Sequence, residues 1–166
     1  MLQPQRIEPQ PGQESVWDYP RPPLLERSHK QIKIIVNQVT LVDSCNTYRV
    51  LETSHPPVYY IPPEDIAMEY LNTADSRRSF CEWKGLASYY DLKVGYKQIN
   101  NASWYYQEPT AYFAPIKDYV AFYPSKMDAC YVDDELVTSQ PGDFYGGWIT
   151  NDIVGPFKGD TGSWGW

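Results

Sequence analysis

Short runs of β-branched and aromatic residues, each closed by a proline, a glycine or a polar pair, recur along this chain from residue 32 onward. That rhythm constrains the fold more than any other feature. IKIIV and VTLV flank Asn37-Gln38, which is a hairpin signal. TYRVLET then alternates with the two-residue period of a strand, and VYYI carries the β pattern up to Pro62. FCEWKGLASYYDLKVGY, NASWYYQ, DYVAFY and ACYV continue it, and residues 132–137, VDDELV, read as a second tight hairpin. Residues 62–70 interrupt the series. Pro62-Pro63-Glu64-Asp65 has the composition of a helix N-terminus, and Ile66 and Tyr70 stand four apart, so a short helix is expected there. Strands this short and regular argue against parallel βαβ units. They predict a mainly β chain, a compact antiparallel β assembly with one or two short helices.

Residues 1–30 read differently, being crowded with Pro, Gln and charge. Such a stretch buries too little apolar surface to offset its ordering entropy, and is expected to be an extended or disordered arm. Trp17, Tyr19, Leu24 and Leu25 are the residues in it that can pin it to the domain. Residues 31–166 are long enough for a single β-rich domain with its own core. The last stretch is rich in glycine, but Phe144, Tyr145, Trp148, Ile149, Val154 and Phe157 are interleaved with it, so packing is expected there too.

The formal charge of −7 and pI near 4.7 set the chain against polyanions, so nucleic acid is not an expected partner. No stretch approaches the roughly 20 apolar residues of a membrane-spanning helix. The opening MLQPQRIEPQPGQESVW lacks a secretory pattern, so the expected location is cytoplasmic. Cys45, Cys81 and Cys130 are odd in number and widely spaced, and are expected to be free thiols. Phosphate-loop, dinucleotide, nucleophile-elbow and paired metal-ligand motifs are all missing. No cofactor or metal is expected.

Chemistry can be sought at a pair of aromatic-Lys-Gly triplets, Trp83-Lys84-Gly85 and Phe157-Lys158-Gly159. A lysine ammonium and an open backbone N–H can meet one anionic group beside an aromatic wall; the plainer reading is two exposed lysines whose neighbours fill the core. Cys81 stands three residues before Lys84, and an ammonium beside a thiol favours the nucleophilic thiolate. A Cys-His pairing would need His55. Among the carboxylates, Asp133-Asp134-Glu135 reads as a solvated turn, and Asp65, Asp118, Asp143 and Asp152 do chemistry only if paired. Glu52 follows Arg49 on a predicted strand, where the two can join one polar network. The catalytic candidates are Cys81, Lys84 and Glu52. The candidate ligand-binding set is Arg49, Glu52, Tyr60, Lys84, Tyr89, Trp104, Tyr145, Trp148 and Lys158.

Several blocks in order, RVLET (49–53), HPPVYYIPPEDI (55–66), CEWKGLASYYDL (81–92), ASWYYQEP (102–109), IKDYVAFYP (116–124) and PGDFYGGWITNDIVGPFKG (141–159), carry a family likeness. From about Val36 to Trp166 the chain resembles the domain of unknown function 427 family, sometimes labelled nucleotidyltransferase-like. The resemblance implies a compact β-rich fold, similar in outline to Mss4-like β assemblies, and implies no assigned activity. The Gly-Ser element and paired-Asp strand of nucleotidyltransferases are absent from this sequence, as are the zinc-binding cysteine pairs of many Mss4-like proteins.

Two functions follow as expectations. One is a small anionic molecule bound, with or without being transformed, in an aromatic cleft lined by Lys and Gly; it requires Lys84 and Lys158 to meet at a concave site. The other is a non-catalytic protein-interaction module that uses an exposed aromatic sheet face. A homodimer is one way to protect the sheet edges.

Overall fold

The computed structural model describes residues 4–142 and 144–166, with the side chains of residues 76 and 77 excepted. Residues 1–3 of the arm and the carboxylate at 143 therefore lie outside the described residues. In chain order the strands are β1 (Glu14–Ser15), β2 (Leu24–Ser28), β3 (Ile32–Val36), β4 (Val39–Ser44), β5 (Thr47–Leu51), β6 (Val58–Tyr60), β7 (Leu71–Cys81) and β8 (Gly85–Val94). There follow β9 (Lys97–Tyr106), β10 (Val120–Phe122), β11 (Ala129–Val132), β12 (Glu135–Leu136), β13 (Thr138–Ser139), β14 (Trp148–Ile149) and β15 (Ile153–Val154). They form antiparallel sheets in the orders β10-β9-β8-β7, β12-β11-β3-β4, β2-β5-β6 and β13-β14, while β1 and β15 pair in parallel. The mainly β, antiparallel reading of the sequence holds.

One layer organises the rest. Ile61, just past β6, exchanges backbone hydrogen bonds with Val120 at 2.9 Å, so the β2-β5-β6 sheet continues into β10-β9-β8-β7. Both faces of this layer are covered, and the strand period sorts its side chains between two cores. Tyr59, Ile61, Leu92, Tyr105, Val120 and Phe122 turn toward the β12-β11-β3-β4 sheet, where Ile32, Ile34, Leu41 and Cys130 complete the first core. Their neighbours Tyr60, Tyr89, Trp104, Tyr106, Ala121 and Tyr123 turn the other way into a second, largely aromatic core.

The two hairpins read from sequence are present. Asn37-Gln38 and Asp133-Asp134 both take positive φ, at 46° and 68° and at 47° and 68°, the backbone that matches a two-residue turn to the twist of its strands. The helix expected at residues 62–70 is instead two isolated 3-10 turns, Pro63–Asp65 and Met68–Tyr70. Between them Ile66 is extended, bridges Val42 and is buried in the first core, and the Ala67 amide donates to the Leu41 carbonyl at 2.9 Å. Pairing to β4 outweighs a weak local preference for helix. All three cysteines are free: Cys45 exposed, Cys81 half-buried and Cys130 buried. No helix among the described residues is long and apolar enough to cross a membrane.

Within the Pro-rich stretch, β2 lies along β5 and β1 along β15. Val16 and Tyr19 pack with Leu51 and Ile153 in a third cluster, and the Trp17 indole donates to the Pro156 carbonyl at 2.9 Å. A charge cluster fastens the same stretch. The Arg49 guanidinium donates to Glu14 at 2.5 Å and to Glu26 at 2.6 Å with only 13% of its side chain exposed. Burial opposes its charge, and the two carboxylates more than offset that opposition. Removing the carboxylates strands a buried cation, whereas removing the arginine leaves two half-exposed anions that water can solvate. The double substitution Glu14→Gln, Glu26→Gln is therefore expected to cost about 2 kcal/mol in urea unfolding, and Arg49→Met distinctly less. The opposite ranking would show that the cluster does not hold the stretch in this way.

Candidate functional site

On the second-core side of the layer the aromatic packing is incomplete, leaving a cavity of about 380 Å³. Its floor follows from strand parity: Tyr60 on β6, Tyr89 on β8, Trp104 and Tyr106 on β9, and Tyr123 just after β10 all point into it. These groups bond to one another. The Trp104 indole donates to the Tyr60 hydroxyl at 3.1 Å, the Tyr60 and Tyr106 hydroxyls are hydrogen-bonded, and Ser79 Oγ meets the Tyr89 hydroxyl at 2.8 Å. Burial pushes the Tyr60 and Tyr106 phenols up, so both stay neutral hydrogen-bonding groups.

Lys84 enters from the β7–β8 hairpin. Cys81 pairs with Gly85, and residues 82–84 make the turn, so Lys84 projects back over the end of β7. Its ammonium donates to Cys81 Sγ at 3.3 Å and lies 5.9 Å from the centroids of both the Tyr106 and Phe113 rings. Burial works against this charge, but attraction to the Tyr60 oxygen and the Cys81 sulfur, with a smaller pull from the more distant Glu52 carboxylate, holds the ammonium above its usual range. Among the described residues Lys84 has no carboxylate at ion-pair distance, and Phe80, 76% exposed, stands at the cavity mouth beside Cys81.

The opposite wall comes from the C-terminal segment and the β5–β6 loop. Lys158 lines the cavity, its amide donating to the Ser54 carbonyl at 2.9 Å and its ammonium to the Trp166 carbonyl at 3.3 Å. Gln140 ties the pieces together. Its Oε1 accepts from the Gly147 amide at 3.1 Å, and its Nε2 donates to the Lys158 carbonyl at 2.9 Å and to His55 Nδ1 at 3.1 Å. Accepting at Nδ1 places the His55 proton on Nε2, which faces Glu52 at 3.8 Å. Glu52 also receives the Arg21 guanidinium at 3.1 Å. Burial first, and then the positive charges of Lys158, Arg21 and Lys84, push the His55 imidazole down to about 3.

Of the residues singled out from sequence, Glu52, Tyr60, Cys81, Lys84, Tyr89, Trp104, Tyr145 and Lys158 share this one cavity. Arg49 and Trp148 do not. Arg49 is next to Val50, which lines the cavity, so strand alternation turns Arg49 to the other face of β5, where it goes to Glu14 and Glu26; Glu52 lies just past the end of the strand. Trp148 is 1% exposed, packs on Tyr59 in the first core and donates its indole N–H to the Phe122 carbonyl at 3.3 Å. The backbone N–H expected to help at the second triplet is also engaged, since the Gly159 amide donates to Ser163 Oγ at 2.8 Å. Gly159 is there for the turn: its φ is +125°, and a Cβ would lie 1.9 Å from the Pro141 oxygen. His55 does not bond to Cys81, because both its nitrogens face other groups. Tyr106, Tyr123 and Gln140 were missed; the parity of NASWYYQ and DYVAFY carries the signal for the two tyrosines, and nothing local marks the glutamine.

The chain belongs to the domain of unknown function family DUF427, whose model matches residues 24–133. The match takes in β2, the cavity floor and the Cys81–Lys84 hairpin, and leaves Gln140, Tyr145 and Lys158 outside it. No curated protein matches the chain.

His55 titrates about 3 in the fold against 6.5 for a free side chain, so between those values the unfolded chain binds the extra proton. Its contribution to stability is complete above pH 6.5 and is lost as pH falls toward 3, at up to about 1.4 kcal/mol per pH unit. Melting curves against pH are expected to be flatter over that window for His55→Gln than for the native chain. Equal slopes would mean that His55 is not held neutral.

Proposed function

We propose that this cavity binds a small anionic molecule between Lys84 and Lys158, with aromatic rings against its body. The observation that carries the reading is the Lys84 ammonium: a cation in an aromatic wall whose hydrogen-bond partner is a thiol, not a carboxylate, facing an open volume with a second lysine across it. The half-buried ammonium stays charged and has no carboxylate at ion-pair distance among the described residues, so an incoming carboxylate or phosphate can take that place. The volume lies within the roughly 300–1,000 Å³ of small-molecule sites. Glu52, His55 and Gln140 add one anionic acceptor and neutral polar groups that fix orientation. Such a ligand carries its anionic end toward the lysines and a hydrogen-bond donor toward Glu52.

A second reading, the protein-interaction module, draws on an apolar groove of about 500 Å³ formed by Pro20, Pro22, Pro23 and Leu24 against Trp83, Tyr112 and Phe113. Proline and aromatic surfaces of this kind suit a peptide. The anion reading is preferred because it also accounts for the two lysines.

A thermal-shift screen against inorganic phosphate, aryl and aliphatic carboxylates and sugar phosphates separates the two. An anion at about 100 times its Kd is expected to add roughly 2.7 kcal/mol to stability, and the shift should vanish in Lys84→Met and in Lys158→Met. No stabilising anion in the panel, or shifts that survive both substitutions, would overturn the proposal in favour of the groove.

A further inference from the structure

We infer that Cys81 is a nucleophile of this cavity, attacking an electrophilic carbon of the small anion that the lysines hold; the inference rests on the anion-binding reading for its substrate class but not for its chemistry. The three cysteines differ sharply in surroundings. Cys130 sits in the first core, where burial pushes its thiol up and away from the reactive form. Cys45 is exposed on the tight turn between β4 and β5. Cys81 alone ends a strand inside the cavity, half-buried, with an ammonium donating to its sulfur at 3.3 Å.

A lysine ammonium carries only donors, so in that bond the sulfur is the acceptor. The sulfur that accepts such a bond best is the thiolate, the form that attacks carbon. The fold holds the geometry firmly. Cys81 is paired to Gly85 across the hairpin, and the Lys84 carbonyl accepts from the Thr110 amide at 3.1 Å. The Thr110 hydroxyl donates to the Trp83 carbonyl at 2.7 Å, fixing the turn on its other side. Glycine at 85 takes φ +110°, and a Cβ there would press on the Glu108 carbonyl at 3.3 Å, so the turn that aims Lys84 at Cys81 is closely specified. Opposite stand Lys158 and the neutral His55, leaving room for a carboxylate or phosphate beside the sulfur.

With iodoacetate as the probe, the carboxylate pairs with the lysines and Cys81 Sγ attacks the methylene carbon. A carbon–sulfur bond forms, the carbon–iodine bond breaks, and iodide leaves with the bonding pair. Any proton on the sulfur passes to solvent, and no oxidant or reductant is required.

The test uses the full chain, with peptide mass mapping of all three cysteines during labelling by iodoacetate and, separately, by neutral iodoacetamide. Cys45 in the same molecule calibrates each reagent. Cys81 is expected to react at least about tenfold faster than Cys45 with iodoacetate, and faster with iodoacetamide as well. Lys84→Met should remove both advantages, while Lys158→Met should slow iodoacetate alone. Cys130 reports folding, because its labelling would rise if a variant opened; the wild-type comparison of Cys81 with Cys45 needs no variant. Cys81 no faster than Cys45 with either reagent would overturn the nucleophile and leave the thermal-shift result for anions standing. Rapid labelling by iodoacetamide without preference for iodoacetate would uphold the nucleophile and overturn the anion reading.

Discussion

The two-residue period of a strand buried on both faces governs this protein. Tyr59, Tyr60 and Ile61 are consecutive, yet the middle one faces the cavity and its neighbours face the first core. Tyr105 between Trp104 and Tyr106, and Phe122 between Ala121 and Tyr123, repeat the division in the adjoining strands. The layer therefore cannot slip by one residue. Such a slip would exchange the residues of the first core for those of the second, turning the cavity-side phenols toward Ile34 and Leu41. What looks in sequence like an undifferentiated surplus of tyrosine is a set of alternating positions divided between the two cores.

The cavity depends on that division and on two additions that arrive from elsewhere in the chain. The β7–β8 hairpin contributes Lys84, and the C-terminal segment contributes Lys158, Gln140 and Tyr145. The closeness of the second contact is visible at Gly146, where a Cβ would come within 2.4 Å of the Trp104 ring. The chain as a whole carries a formal charge of −7, but Lys158, Arg21 and Lys84 gather around His55, with Glu52 the carboxylate that faces it at 3.8 Å.

Much of the fold was legible because it rests on local signals. The turns at Asn37-Gln38 and Asp133-Asp134, the strands on either side of each, and the packing of the glycine-rich end follow from residue type and spacing. The failures come where tertiary pairing decides. Ile66 has helix-like neighbours in sequence, but β4 offers it an edge and the core offers it burial, so the expected helix became two turns. Trp148 is polar enough at its indole nitrogen to suit a pocket, yet that nitrogen is satisfied by the Phe122 carbonyl deep in the other core. Arg49 alternates with Val50, which lines the cavity, so the period of β5 turns Arg49 away from it. No such local period places Gln140, because its three hydrogen bonds join residues far apart in sequence.

The arrangement of charge around Lys84 bears on whether the cavity is a site or only an imperfect core. An unfilled aromatic core would gain stability from a methionine or leucine at position 84, which would cover Tyr106 and Phe113 without the cost of burying an ammonium. The fold instead directs a lysine there from a turn held by Gly85 and Thr110, and meets it with a thiol and no carboxylate at ion-pair distance among the described residues. Arg49 shows what this same chain does where a buried cation serves structure alone: two carboxylates close on it at 2.5 and 2.6 Å. The contrast between the two cations, one saturated and one left open toward a cavity, is the physical reason to look for a ligand at Lys84 and not at Arg49.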